Sequence, residues 1–160
     1  MIAAVASCLI QVGAQLFAVV VIVDTVTAAP PRSLAMLAGE YGYDSSAFWD
    51  VAPMVTSVLL LVALATNWKT RRRRLVLGAV GTFLIAGLFA AFILEPVQAE
   101  VLAAGYSDVV DEALRARAAH WRMLDWISWS LSLVVGILLC VALAVPLSAP
   151  TRRDGAAHTA

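Results

Sequence analysis

The chain has 160 residues, 62% of them hydrophobic and 14% charged, with 11 Lys and Arg balanced by 11 Asp and Glu. A soluble domain is about 45–50% apolar and about 25% charged, so this composition, at a mean hydropathy of +0.88, excludes a globule with a solvated surface. The zero net charge excludes a globally basic nucleic-acid binder and an acidic disordered chain.

The first apolar run, Met1 to Val23, carries no formal charge and is interrupted mainly by Ser7, Gln11 and Gln15. Val5-Ala6-Ser7-Cys8 resembles a lipoprotein cleavage box but has no basic and apolar leader before it. A cleaved signal peptide is equally ill-matched, because the run has no positive start and its apolar part is too long. The run is read as a retained span over about 2–26. Gln11 and Gln15 lie one turn apart on the face bearing Ser7. They suit interhelical hydrogen bonds, or the lining of a polar cavity that binds a ligand.

A polar stretch with a Pro-Pro turn and Gly39, Tyr41, Gly42 and Tyr43 precedes the second span, about 47–67. Asp50 falls at the start of that span, just before Pro53 in the expected first turn, where a carboxylate caps free amides. The third span, about 75–95, shows Gly78, Thr82, Ala86 and Ala90 at every fourth position, a close-packing stripe. From Pro96 to Ala119 the sequence predicts a further short amphipathic helix between the third and fourth spans, lying on the membrane or capping the bundle. The fourth span covers about 121–147. Each run approaches the roughly 20 residues a membrane helix needs, and the alternation of a membrane strand is absent. The expectation is an all-α, four-transmembrane-helix bundle as one domain over 1–150, with a flexible cytoplasmic tail at 151–160.

Lys69 and Arg71 to Arg74 fill the second loop, and Arg152 and Arg153 follow the fourth span. The positive-inside rule therefore predicts a multi-pass protein of the cell membrane with both termini cytoplasmic. The arginine run is a topology anchor that also attracts anionic lipid headgroups. Of the eleven acids, all except Asp154 fall in the outer loops or near outer helix ends. Asp24 and Glu95 are expected to close helices, where the dipole is already negative. Ionisable groups at membrane level are functional candidates, so Asp24, Asp50, Glu95 and Asp125 enter the candidate site.

The stretch from Ala119 to Trp129 holds three of the five tryptophans. Trp121, Asp125, Ser128 and Ser132 share one helical face, continued by Gly136 and Cys140. His120 and Arg122 flank it and are placed to pair with Glu95 or Asp24. Cys8 and Cys140 form no paired-cysteine motif and read as buried reduced thiols. No P-loop, dinucleotide fingerprint or nucleophile elbow is present, no metal-ligand spacing is evident, and no cofactor is expected.

Glu95-Pro96-Val97-Gln98 after the third span, and Trp121 followed by Asp125 and Ser128, carry a resemblance. The four-helix layout with these residues resembles the small anthrone-oxygenase-like membrane family, whose pattern is roughly Pro-x-Asn and then Trp-x3-His/Asn-x2-Arg. Pro96 and Trp121 match. Gln98 stands in place of the Asn, Asp125 and Ser128 in place of the His/Asn and Arg, and Arg122 lies nearby. The resemblance implies cofactor-poor oxidation of an aromatic anthrone to a quinone. Glu95 or Asp125, then His120, would be the base, and Trp121 and Trp126 would stack on the rings. Such a site binds a lipophilic, aromatic or quinone-like molecule near the outer face. The alternative is a non-catalytic accessory or assembly subunit, with a membrane-protein partner or a second copy meeting the small-residue stripes. A proton- or cation-conducting element is weaker, because the inner half lacks an ionisable relay.

Overall fold

A computed structural model describes residues 1–146. The expected tail at 151–160, with Arg152 and Arg153, lies outside the described residues. The described residues form no strand. Four helices are long and apolar enough to cross a membrane: α1 (Ile2–Val26), α2 (Ser46–Asn67), α3 (Arg73–Ala103) and α4 (Glu112–Ala144). Their outward faces are apolar, as lipid contact requires: Val58 and Leu61 on α2 and Leu84, Leu88 and Phe92 on α3 are all more than half exposed.

α4 packs along both α3 and α1, and α2 packs against α1 and α3. The interior forms three layers. At the end bearing the Lys69–Arg74 loop, Ala4, Ala63, Val76 and Ala142 meet. Val5, Cys8, Val12, Leu60, Ala79, Val135 and Leu139 fill the middle. At the far end Val23, Val26, Leu34, Leu94, Val101, Ala118, Trp121 and Leu124 make the third layer. Small residues set the helix spacing. A Cβ on Gly136 would lie 3.3 Å from Leu9 Cδ2, and one on Gly78 would lie 3.6 Å from Leu138 Cδ1. The stripes are used within the bundle only in part: Gly136 and Ala86 are buried, whereas Gly78 stays exposed. Cys8 is buried, whereas Cys140 is exposed on the bundle surface, and both are free thiols.

Two of the four helices are longer than the sequence predicts, and this corrects several expectations. Pro96 does not end the third helix. It lacks an N–H and its ring crowds the carbonyl four residues back, but a wide π turn over Ala90–Leu94 immediately precedes it. Such a turn shifts the hydrogen-bond register, and the helix continues to Ala103. The separate amphipathic helix is thus replaced by an extension of α3, a short non-helical connection, and the first turns of α4. At 31 and 33 residues, α3 and α4 are about 47 and 50 Å long, well beyond the roughly 30 Å of hydrocarbon. Both rise past α2 at the Asp24 end. The turn Arg32–Leu37 packs against them through Leu34. The Asp111 N–H donates to the Pro30 carbonyl at 3.1 Å, joining the two far-end loops.

The caps also move. α2 begins at Ser46, and its first amide donates to Asp44 Oδ1 at 2.8 Å. Asp50 is in the second turn, exposed, and caps nothing; Pro53 lies inside the helix. In α4 the N-cap is Asp111, whose Oδ1 accepts from the amides of Ala113 at 2.8 Å and Leu114 at 3.2 Å. Asp125 is several turns further in, where backbone amides are already paired, so the helix end does not account for its charge. Glu95 likewise sits mid-helix in α3 and not at its end.

Candidate functional site

The far-end candidates separate into three groups. Asp24, in the last turn of α1, accepts from Arg122 Nη1 at 2.8 Å, with side chains 61% and 47% exposed. A pair this wet contributes about 0.2–1 kcal/mol and mainly fixes α1 against α4. Glu95 and His120 are both exposed, and neither joins an ion pair among the described residues. The acid that pairs between α3 and α4 is Glu100, at 2.6 Å from Arg117 Nη2. Trp121 and Asp125 do come together. Trp121 is 4% exposed, and its indole N–H is sealed off without a hydrogen bond. The half-buried Asp125 carboxylate, one turn along the same face, lies beside that N–H but short of hydrogen-bond geometry. Of Glu95, Asp125 and Trp121, which an outer-facing binding site would bring together, only Trp121 and Asp125 are neighbours. Trp126 turns outward, 40% exposed, and meets Trp129 edge to face at 5.6 Å.

The denser polar arrangement is deeper, where the helices cross. Thr56 on α2 is fully buried. Its hydroxyl meets Ser7 Oγ at 2.6 Å and accepts from Gln11 Nε2. The same amide nitrogen donates to the Ala52 carbonyl at 3.1 Å. Because the Ala52 oxygen only accepts, this bond fixes which end of the Gln11 amide is nitrogen. Gln11 Oε1 is then left with no donor among the described residues. One turn outward, Gln15 Nε2 donates to Ser128 Oγ at 2.9 Å, and Trp129 Nε1 donates to the Val12 carbonyl at 3.3 Å. Both glutamines are thus interhelical ties from α1, Gln11 to α2 and Gln15 to α4.

Beside the Ser7–Gln11–Thr56 knot lies an open groove of about 360 Å³ between α1 and α2. Ile10, Ala47, Phe48, Val51, Ala52 and Val55 form its walls, with Ser7 and Gln11 as its polar part. The groove runs from the Ser46 end of α2 to the middle of the bundle and opens sideways between helices. Ser7 and Gln11 were singled out by the sequence, but the apolar residues of the wall were not. A usable signal existed in Thr56, which faces the same side of α2 as Ala52 and meets the polar demand of Ser7 and Gln11.

Among the described residues no three His, Cys, Asp or Glu side chains converge as metal ligands. No protein family, curated protein or solved structure matches the chain.

Proposed function

We propose that this is an integral membrane protein that takes a lipophilic molecule with a hydroxyl or N–H donor, such as a phenol or hydroquinone, from the bilayer into the α1–α2 groove. The observation that carries the reading is an apolar lateral groove of about 360 Å³ whose polar part includes an amide oxygen left without a donor. Ligand pockets combine mostly apolar walls with a few placed polar groups, over about 300–1,000 Å³. In hydrocarbon an unsatisfied carbonyl oxygen is unfavourable, so a donor-bearing lipophile is preferred to an acyl chain. Both termini and the Lys69–Arg74 loop face the cytoplasm in this reading, on the charge asymmetry. The groove then opens toward the outer leaflet.

Glu95, His120 and Asp125 lie outside the groove lining, so none of these three candidate bases lines the space where the molecule is held. The oxidation implied by the anthrone-oxygenase resemblance would fall to Asp125 beside Trp121, and oxygen uptake with an anthrone would report it. For an assembly role the small-residue stripes point both ways: Gly136 is buried against α1, whereas Gly78 and Cys140 are exposed on the bundle surface.

The test is native mass spectrometry of protein extracted from membranes. The expected result is a co-purifying aromatic lipophile on the wild type, absent from Val51→Trp, which fills the groove from α2. Equal retention by Val51→Trp, or no lipophile across several detergents, contradicts the reading.

A further inference from the structure

The basic loop between α2 and α3 is more than a charge run. Lys69, Arg71, Arg73 and Arg74 line a concave space of about 470 Å³ together with Trp68 and Thr70. Arg72 is the exception. It reaches across to the end of α4, where its Nε donates to the Val145 carbonyl at 2.6 Å and its Nη2 to the Leu143 carbonyl at 3.0 Å. Arg72 therefore satisfies the carbonyl end of α4 and pins the loop, and the other four cations are left for something else. Among the described residues no carboxylate pairs with any of them.

The loop itself is built and not slack. Thr70 Oγ1 donates to the Asn67 carbonyl at 2.9 Å and accepts from the Arg72 amide at 3.2 Å. Asn67 is buried and ties back to Ala63 at 2.8 Å. Arg73 stacks its guanidinium over Trp68 at 5.1 Å, holding the aromatic at the rim. No side chain caps the α3 N-terminus, so its dipole adds positive potential to the same hollow. The hollow lies where the apolar stretches of α2 and α3 end, at headgroup depth.

We infer that this hollow is a binding site for the phosphoryl headgroup of an anionic phospholipid, gripped by Lys69, Arg71, Arg73 and Arg74, with Arg72 as a structural residue. Four cations with no paired acid among the described residues favour a phosphodiester over a zwitterionic headgroup, whose own ammonium they repel. Trp68 supplies the interfacial surface for the glycerol and upper acyl chain. A topology anchor alone requires only charge on one side of the membrane. A site requires particular side chains.

The experiment is native mass spectrometry of the whole chain with equal phosphatidylglycerol and phosphatidylcholine. One phosphatidylglycerol per chain should be retained preferentially. The triple substitution K69Q/R71Q/R74Q should weaken that preference about a hundredfold, from roughly tenfold or less per cation near the surface. Its melting temperature in phosphatidylcholine should not change. Arg72→Gln should do the reverse, lowering the melting temperature and keeping the preference. If the triple variant does not fold, salt on the wild type decides. The preference should collapse between about 0.01 M and about 1 M, as the screening length falls from about 30 to 3 Å. Retention of phosphatidylglycerol by a folded triple variant, or a salt-independent preference, overturns the site. Displacement of the lipid by glycerol phosphate or inorganic phosphate at equal concentration overturns the lipid as its source.

Discussion

At the scale of single residues, the polar side chains of the described bundle include interhelical ties and groups without a partner, the Gln11 amide oxygen and the Trp121 N–H among them. Gln15 is a tie: its bond to Ser128 predicts that Gln15→Leu destabilises the protein by about 0.6 kcal/mol, the usual worth of an interhelical hydrogen bond in a membrane, as read by unfolding in mixed micelles. Asp111→Ala should cost about 1 kcal/mol in the same assay, through loss of the α4 cap. Asp44 gives a pH signature. The Ser46 amide holds its carboxyl below the ordinary carboxylate value. That contribution is complete above the ordinary value and is lost as pH falls through the lowered one. Hydrogen exchange at the first turn of α2 should therefore accelerate, beyond its intrinsic pH trend, on acidification below about pH 4. Asp44→Asn should remove that extra acceleration. The sequence identified Gln11 and Gln15 correctly as polar groups needing partners, because membrane interiors leave few alternatives. It did not identify which carboxylates cap helices, since Asp44 and Asp50, or Asp111 and Asp125, differ only in where the helix begins.

At the scale of elements, the third span ended at Glu95 and the fourth begun at Trp121 share one cause: both helices run further, to Ala103 and from Glu112. Apolar runs mark where a helix lies in hydrocarbon, but say nothing of helical turns continued beyond it. Pro96 looks like a stop from sequence because its missing N–H breaks an ordinary ladder, and a π turn is invisible to hydrophobic periodicity. The extension is measurable. Spin labels at Leu88 and Leu102 are fourteen residues apart, so on one straight helix their backbones lie about 21 Å apart. A separate helix folded onto the membrane surface would change both this distance and its spread. The Trp121 indole, buried without a partner, belongs to the same extended region, and its setting depends on α3 and α4 rising together past α2.

For the whole molecule, composition and four apolar runs were enough to read a four-helix membrane bundle. They were not enough to find where helices part, because a groove is a property of two helix faces and their crossing. Phe48, Val51 and Val55 read as ordinary lipid-facing residues until α1 is set beside them with Gln11. The proposed occupant of this groove is a donor-bearing lipophile. Photolabelling in native-like bilayers with a diazirine-bearing phenol, mapped by peptide mass spectrometry, tests it most directly. Label should concentrate on the peptide holding Phe48, Val51 and Val55, and Gln11→Leu should suppress it. Label spread evenly over the lipid faces of α2 and α3, including Leu84, Leu88 and Phe92, and unchanged by Gln11→Leu, would contradict it.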